Sequence, residues 1–219
     1  MKLWQIMGEL QTIFSPKIAE EWDNVGLLVG DNTREINKVL FCLDVTEKAV
    51  QKAVDNNVDL IISHHPVIFS GLKKITNETV HGRKILKLIE NKIAVYSIHT
   101  NSDFAINGLN DFIMDKLNLD GEKIIFNEHE FEDYNPIKNK MEHVCGGLAR
   151  IKILNEKMKL GDLIERIKDS LGIGYVRYVG DKNSYVRKIG LVTGGGSSFM
   201  YEVANKIDVF LTGDLRYHE

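Results

Sequence analysis

DLIISHHP, residues 59–66, is the stretch that decides the fold. An aspartate opens a short apolar run, which stops at His64, His65 and Pro66. The run does not alternate with polar residues, so it reads as a strand covered on both faces, as in a largely parallel sheet between helices. Its neighbours repeat the theme. VLFCLD (39–44) ends at Asp44, and IAVYSIHTNSD (93–103) ends with His99 and Asp103. Thr46 is a fair N-cap for a helix reaching Asn57, and a further helix is expected over 79–91. Strand–helix–strand–helix–strand with right-handed crossovers brings all three strand C-terminal ends to one edge. Upstream, Leu3, Ile6, Met7, Leu10 and Ile13 recur at helical spacing, and Pro16 closes that helix. A loop carrying Trp22, Asp23, Asn24 and Gly26 follows it. Downstream, 108–117 reads as a helix.

The second half is patterned more weakly. Residues 127–143 are polar and acidic around Pro136 and read as a connector or a poorly ordered excursion. Strands are expected over 146–153, 175–179 and 188–193, with helices over 161–171 and 199–206. The chain then enters DVFLTGD (208–214). KVLFCLD–helix–DLIISHH resembles KIGLVTG–helix–DVFLTGD, with Lys38 matching Lys188 and Asp59 matching Asp208 at offsets of 150 and 149 residues. This weak repeat places Gly213 and Asp214 where the first half has His64 and His65. The expected fold is α/β: two related three-layer lobes with largely parallel sheets and a metal site in the cleft at the strand C-terminal ends. The expected division is a first lobe over 1–125, a connector and accessory α/β segment over 126–187, and the start of a second βαβ repeat, apparently truncated, over 188–219.

Composition excludes several classes. The 219 residues are 43% hydrophobic and 27% charged, which suits a globular protein rather than a disordered or collagenous one. A net charge of −3 offers no global attraction to nucleic acid or anionic membrane. No apolar run approaches the length of a membrane span. The N-terminus lacks the apolar core of a signal peptide. Cys42 and Cys145 cannot form a disulfide framework and read as small buried apolar residues in a reducing, cytoplasmic setting.

Histidine and carboxylate converging at one sheet edge is a metal-site pattern. Adjacent strand residues point to opposite faces, so His64 and His65 are expected to diverge and to serve two ions, one each. That suggests a two-metal site with ions about 3.5–4 Å apart. His99 is expected as a weaker ligand, a group behind the ligands, or a general acid. Gly194–Gly195–Gly196 reads as a tight turn before it reads as an anion cradle. His81, His129 and His143 are expected to face solvent.

EEWDNVGLLVG, DLIISHHP, HTNSD, VCGGLARI, TGGGSS and LTGDLRYH occur here in order. Together they resemble the dinuclear metal-centre family of GTP cyclohydrolase type 2 homologs, also known as domain of unknown function 34. The resemblance covers nearly the whole chain. It implies a two-lobed α/β protein assembled as a toroidal homohexamer, with two divalent ions per subunit (zinc, manganese, iron or nickel). By motif, His64 looks like a ligand of one ion, and His65 and Asp103 look like ligands of the other. The family's remaining ligands lie in a C-terminal GHxxxE motif, which this sequence does not reach before Tyr217, His218 and Glu219. Two divalent ions facing a single carboxylate leave a strongly positive site, so incomplete metal binding is expected of the sequence as it stands. The function implied is a metal-dependent hydrolase acting on a nucleotide or related heterocycle. The alternative is a non-catalytic metal-binding or regulatory assembly.

Overall fold

The computed structural model describes residues 1–135 and 138–218, so Pro136 and Glu219 lie outside the described residues. The chain divides into two compact units, Met1–Ser102 with Glu130–Val144, and Asp103–His129 with Cys145–Glu219.

In the first unit the order is α1 (Leu3–Ile13), β1 (Gly26–Val29), β2 (Val39–Cys42), α2 (Glu47–Asp55), β3 (Leu60–Ser63), α3 (Val80–Glu90) and β4 (Ala94–Ser97). The sheet runs β1-β4-β3-β2, with β2, β3 and β4 parallel and β1 antiparallel to β4. Every residue of β3 and β4 is buried, as their unbroken apolar runs require. Ile61 and Val95 face one way, into a core with Val50 and Ala53 of α2 and Ile85 and Leu88 of α3. Leu60, Ile62, Ala94 and Tyr96 face the other way, into a core with Leu3. The unit is therefore helix, sheet, helix. Thr46 and Thr79 cap α2 and α3, their hydroxyls accepting the N–H of Ala49 and Gly82 at 3.0 Å each.

Strand β1 falls within the stretch read from sequence as a loop. It is only four residues long and its ladder with β4 is irregular between Leu27 and Val29, so it leaves little periodic signal. Gly30, just beyond it, has φ +125°, and a Cβ there would stand 2.7 Å from Ala94 Cβ. Glycine is what lets this edge strand close on β4.

The second unit takes over within α4 (Thr100–Phe104), and the chain continues as α5 (Leu109–Lys116), β5 (Gly121–Asn135), β6 (Lys140–Lys159), α6 (Leu160–Leu171), β7 (Tyr185–Leu191), α7 (Met200–Val203) and β8 (Val209–Leu211). The sheet order is β5-β6-β7-β8, with β6–β7 antiparallel and β7–β8 parallel. Leu163 and Ile167 of α6 pack with Met114, Leu117, Ile189 and Leu191 on one side. Ala149, Ile151, Val192 and Val203 form the other core.

Two further elements differ from the sequence reading. The expected connector over 127–143 lies largely within the long strands β5 and β6. Its middle has no buried face, with Glu128, His129 and Glu130 all exposed, so no apolar alternation betrays it. Its distal part, 130–144, joins the first unit through polar contacts. Glu142 accepts from Thr12 Oγ1 at 2.9 Å and Asn135 Nδ2 at 2.8 Å, and Asp133 accepts from Ser15 Oγ at 2.8 Å. Conversely, 175–179 forms no strand, and Tyr175 and Val179 are 79% and 95% exposed.

The weak repeat has a geometric counterpart. Asp59 Oδ2 accepts the main-chain N–H groups of Asn37 and Lys38 at 2.8 and 3.0 Å. Asp208 Oδ2 accepts those of Arg187 and Lys188 at 2.8 and 2.9 Å. Each aspartate's own N–H donates to the matching lysine carbonyl, at 2.9 and 2.8 Å. The carboxylates thus clamp two parallel pairs in the same register, Val39 opposite Leu60 and Ile189 opposite Val209.

Replacing either aspartate removes two charge-assisted bonds at an exposed site. Asp59→Ala and Asp208→Ala should each lower stability by about 1 kcal/mol in urea denaturation. The Asp208 carboxyl is held below its usual range, first by the Lys188 main-chain N–H and, against a partial opposing effect of burial, by that of Arg187. A depressed folded-state pKa stabilises above the unfolded value and fades as pH falls through the folded one. The wild-type advantage over Asp208→Ala should therefore shrink below about pH 4.

Candidate metal centre

The β3 ladder ends at Ser63, whose hydroxyl bonds the His65 carbonyl and the Ser97 hydroxyl, each at 2.9 Å. This ties the ends of the two central strands together. Just beyond, the N–H groups of His64 and His65 donate to Cys42 and Leu43 carbonyls at 3.2 and 3.0 Å, holding the segment against the end of β2.

The two imidazoles do not diverge as strand alternation predicts. Their ring centroids are 5.0 Å apart, and His99 stands 5.2 Å from His64 and 5.5 Å from His65. One nitrogen from each of the three lies within 4.8 Å of the others, a grouping able to hold a cation. The reason is local: both residues lie past the last β3 residue, in a bend, where the alternation of a strand no longer applies.

Each ring is oriented through Nδ1. His64 Nδ1 lies 3.0 Å from the Ile98 carbonyl, His65 Nδ1 lies 2.8 Å from Asp44 Oδ1, and His99 Nδ1 lies 2.8 Å from Asp23 Oδ1. All three partners are oxygen acceptors, so the tautomer that satisfies them carries its proton on Nδ1. Nε2 is then the nitrogen with the donor lone pair. This is the usual arrangement behind metal-binding histidines. Burial, followed by the neighbouring His99 and His65, pushes His64 down to about 4, so it is neutral near pH 7 and fit to donate to a cation.

Asp23 is the most constrained of these groups. Its side chain has no exposed surface. It accepts from His99 and, at 3.1 and 2.6 Å, from the N–H and hydroxyl of Thr100. Burial works to raise its pKa, but the bonds from His99 and Thr100 prevail and hold it at about 2. Thr100 Oγ1 in turn accepts the Glu20 N–H at 3.0 Å. The sequence reading placed Asp23 in a loop without a role. Nothing local marks it, because its partner is 76 residues away. Asp44, expected only as a strand-end carboxylate, orients His65.

Asp103 lies on α4, 8% exposed, and is counted with the second unit. The backbone after it is clamped by Arg150, which is fully buried and donates to the carbonyls of Phe104 and Ala105 at 3.1 and 2.8 Å, and to Asp111 Oδ2 at 2.8 Å. Sequence reasoning missed Arg150, since an arginine within an apolar strand reads as surface until its partners are known.

Other features are structural. The triple-glycine turn is tight: the Gly194 carbonyl accepts the N–H groups of Gly213 and Asp214 and the Thr212 hydroxyl, each at 3.0 Å. A Cβ on Gly196 would stand 2.6 Å from Val192 Cβ. His129 and His143 are exposed, whereas His81 is half-buried in α3. Cys42 and Cys145 are half-buried rather than buried, and the Cys145 thiol donates to Glu128. Among the described residues no helix is long and apolar enough to cross a membrane.

Comparison with known proteins places these residues in context. Duf34/NIF3 (NGG1p interacting factor 3) matches the chain over residues 1–219. A "GTP cyclohydrolase 1 type 2 homolog" of Clostridium perfringens is 38% identical over 220 residues, covering 100% of this chain and 79% of that protein. "Protein NIF3 homolog" of Schizosaccharomyces pombe is 33% identical over 216 residues, covering 96% of this chain and 74% of that protein. The crystal structure of Staphylococcus aureus protein SA1388 superposes with a TM-score of 0.83 at 30% identity, covering 100% of this chain and 81% of that one.

The orienting role of Asp23 can be measured. Asp23→Asn keeps the size but removes the charge that fixes the His99 tautomer. Zinc affinity, read by competition with a chromophoric chelator, should fall about ten- to hundredfold. Asp59→Asn, remote from the imidazoles in its hydrogen bonding, should leave it unchanged.

Proposed function

Because the chain belongs to the Duf34/NIF3 family, we propose that it carries a dinuclear divalent-metal centre and acts as a metal-dependent hydrolase on a nucleotide or related heterocycle. The observation that supports this most is the set of three imidazoles, each turned by an oxygen acceptor on Nδ1 and gathered at one sheet edge. An unpartnered structural histidine has no need of such orientation.

The donor set suits the group. Imidazoles with carboxylates nearby and no thiolate fit zinc, manganese, iron or nickel. In this reading His64 holds one ion, and His65 and Asp103 hold the other. When bound, such ions supply Lewis acidity that polarises a scissile bond and acidifies water. The chain's own residues do the rest. Asp44 and Asp23 keep the rings of His65 and His99 in one tautomer. His99, held at Nδ1 by Asp23, is the third imidazole of the group and a further nitrogen ligand beside His64 and His65. Arg150 holds the backbone following Asp103. The name carried by the bacterial relatives makes GTP the first substrate to test. Assembly as a homohexamer belongs to the same reading and is checked by light scattering.

The test uses the metal-reconstituted chain, with metal content from elemental analysis and GTP consumption followed by chromatography. In excess divalent metal, wild type should bind it weakly and turn over GTP. His65→Ala, with its fold intact by circular dichroism, should lose metal and lower turnover by more than the roughly 10–100-fold expected of an orienting group. Retained metal with no turnover of any nucleotide would favour the non-catalytic assembly.

A further inference from the structure

Two large aromatic side chains stand beside the imidazoles with more than half their surface exposed, Trp22 at 55% and Phe69 at 53%. Their ring centroids are 5.9 Å apart at an angle of 52°. Trp22 meets His99 at 6.2 Å in an edge-to-face arrangement of 75°. A continuous row of rings thus runs from Phe69 through Trp22 to His99 and on to His64 and His65.

Neither aromatic is on a loose tether. Trp22 sits in a turn closed by the Asp23 N–H on the Glu20 carbonyl at 3.0 Å, and Asp23 itself is anchored by His99 and Thr100. Asn24 Nδ2 donates to the Ile68 carbonyl at 2.6 Å, tying that turn to the residue before Phe69. Ile68 packs against the first core. The backbone on both sides is therefore fixed, while the rings it carries project into water. What sets these two apart from other exposed side chains is their contact with each other on a fixed backbone beside the oriented imidazoles, which leaves paired ring faces open to a ligand.

We propose that Trp22 and Phe69 form a stacking subsite for a planar heteroaromatic ring, which they hold against His99. The inference rests on the hydrolase reading above and adds to it the residues that would recognise the heterocycle of its substrate, and so select a base-bearing ligand over an aliphatic or sugar phosphate. An aromatic face accepts any base, because every base has a π-face. The angle between the rings excludes a sandwich. One ring stacks on the base while the other meets its edge, a geometry aromatic groups favour.

The experiment measures calorimetric affinities of GTP, ATP and inorganic tripolyphosphate for the metal-loaded full chain. Wild type is compared with Trp22→Ala, Trp22→Phe and Phe69→Ala, each checked for fold and metal content. Trp22→Ala should weaken both nucleotides about tenfold, within the range typical of base stacking on an aromatic. Trp22→Phe should restore most of that, Phe69→Ala should lose less, and tripolyphosphate affinity should stay within about twofold throughout. Nucleotide affinity unchanged in Trp22→Ala overturns the subsite, as does a parallel fall for tripolyphosphate. So does a change of oligomeric state at constant nucleotide affinity, which would assign the rings to a subunit contact. Wild type that binds the bases and holds metal without turnover overturns the hydrolase reading alone. Wild type with turnover and an indifferent Trp22→Ala overturns the stacking subsite alone.

Discussion

Asp23 is an ionised carboxylate whose side chain is sealed from solvent, and such a group persists only if its oxygens are fully engaged. Four donors meet it: the His99 ring, the N–H and hydroxyl of Thr100, and the N–H of Asn24. Satisfying that carboxylate fixes the turn that carries Trp22, the start of α4 and the rotation of His99 at once. The same requirement, met by weaker or more exposed acceptors, turns His65 toward Asp44 and His64 toward the Ile98 carbonyl. The three rings so held gather at one place, with a nitrogen from each within 4.8 Å of the others.

The sheet explains why this happens at this edge. Parallel pairing of β2, β3 and β4 needs crossover helices, and those crossovers put every strand C-terminus on the same side. The Ser63–Ser97 hydroxyl contact then holds the two central strands level, so His64, His65 and His99 leave the sheet together. Register at the opposite edge is set by Asp59, whose carboxylate holds two N–H groups at the start of β2. The second unit repeats this with Asp208 but ends its strand in glycine and aspartate instead of histidine. One structural unit has thus been used twice, with imidazoles at the strand end in only one of them.

Much of the first unit was legible because its strands are buried on both faces and its helices start at threonine caps. Short apolar runs with clear ends leave few alternatives. The repeat was legible as a lysine and an aspartate at matched offsets, and those two residues turn out to make the register-setting bonds. Strand β1 was not legible, since four residues with an irregular ladder carry no periodicity. The long strands β5 and β6 were not legible in their middle, since polar residues on both faces give a strand no pattern to detect.

The sequence by itself determined the α/β class, the order of elements in the first unit, the family, and which histidines gather at the strand ends. These follow from local rules: periodicity, capping, and motifs read along the chain. Only the tertiary structure decided that His64 and His65 converge, that Asp44 and Asp23 fix their neighbours' tautomers, and that Arg150 is buried behind the backbone that follows Asp103. Each of these depends on a partner far away in sequence. A buried charge or an oriented imidazole is defined by what surrounds it, and that environment exists only once the chain has folded.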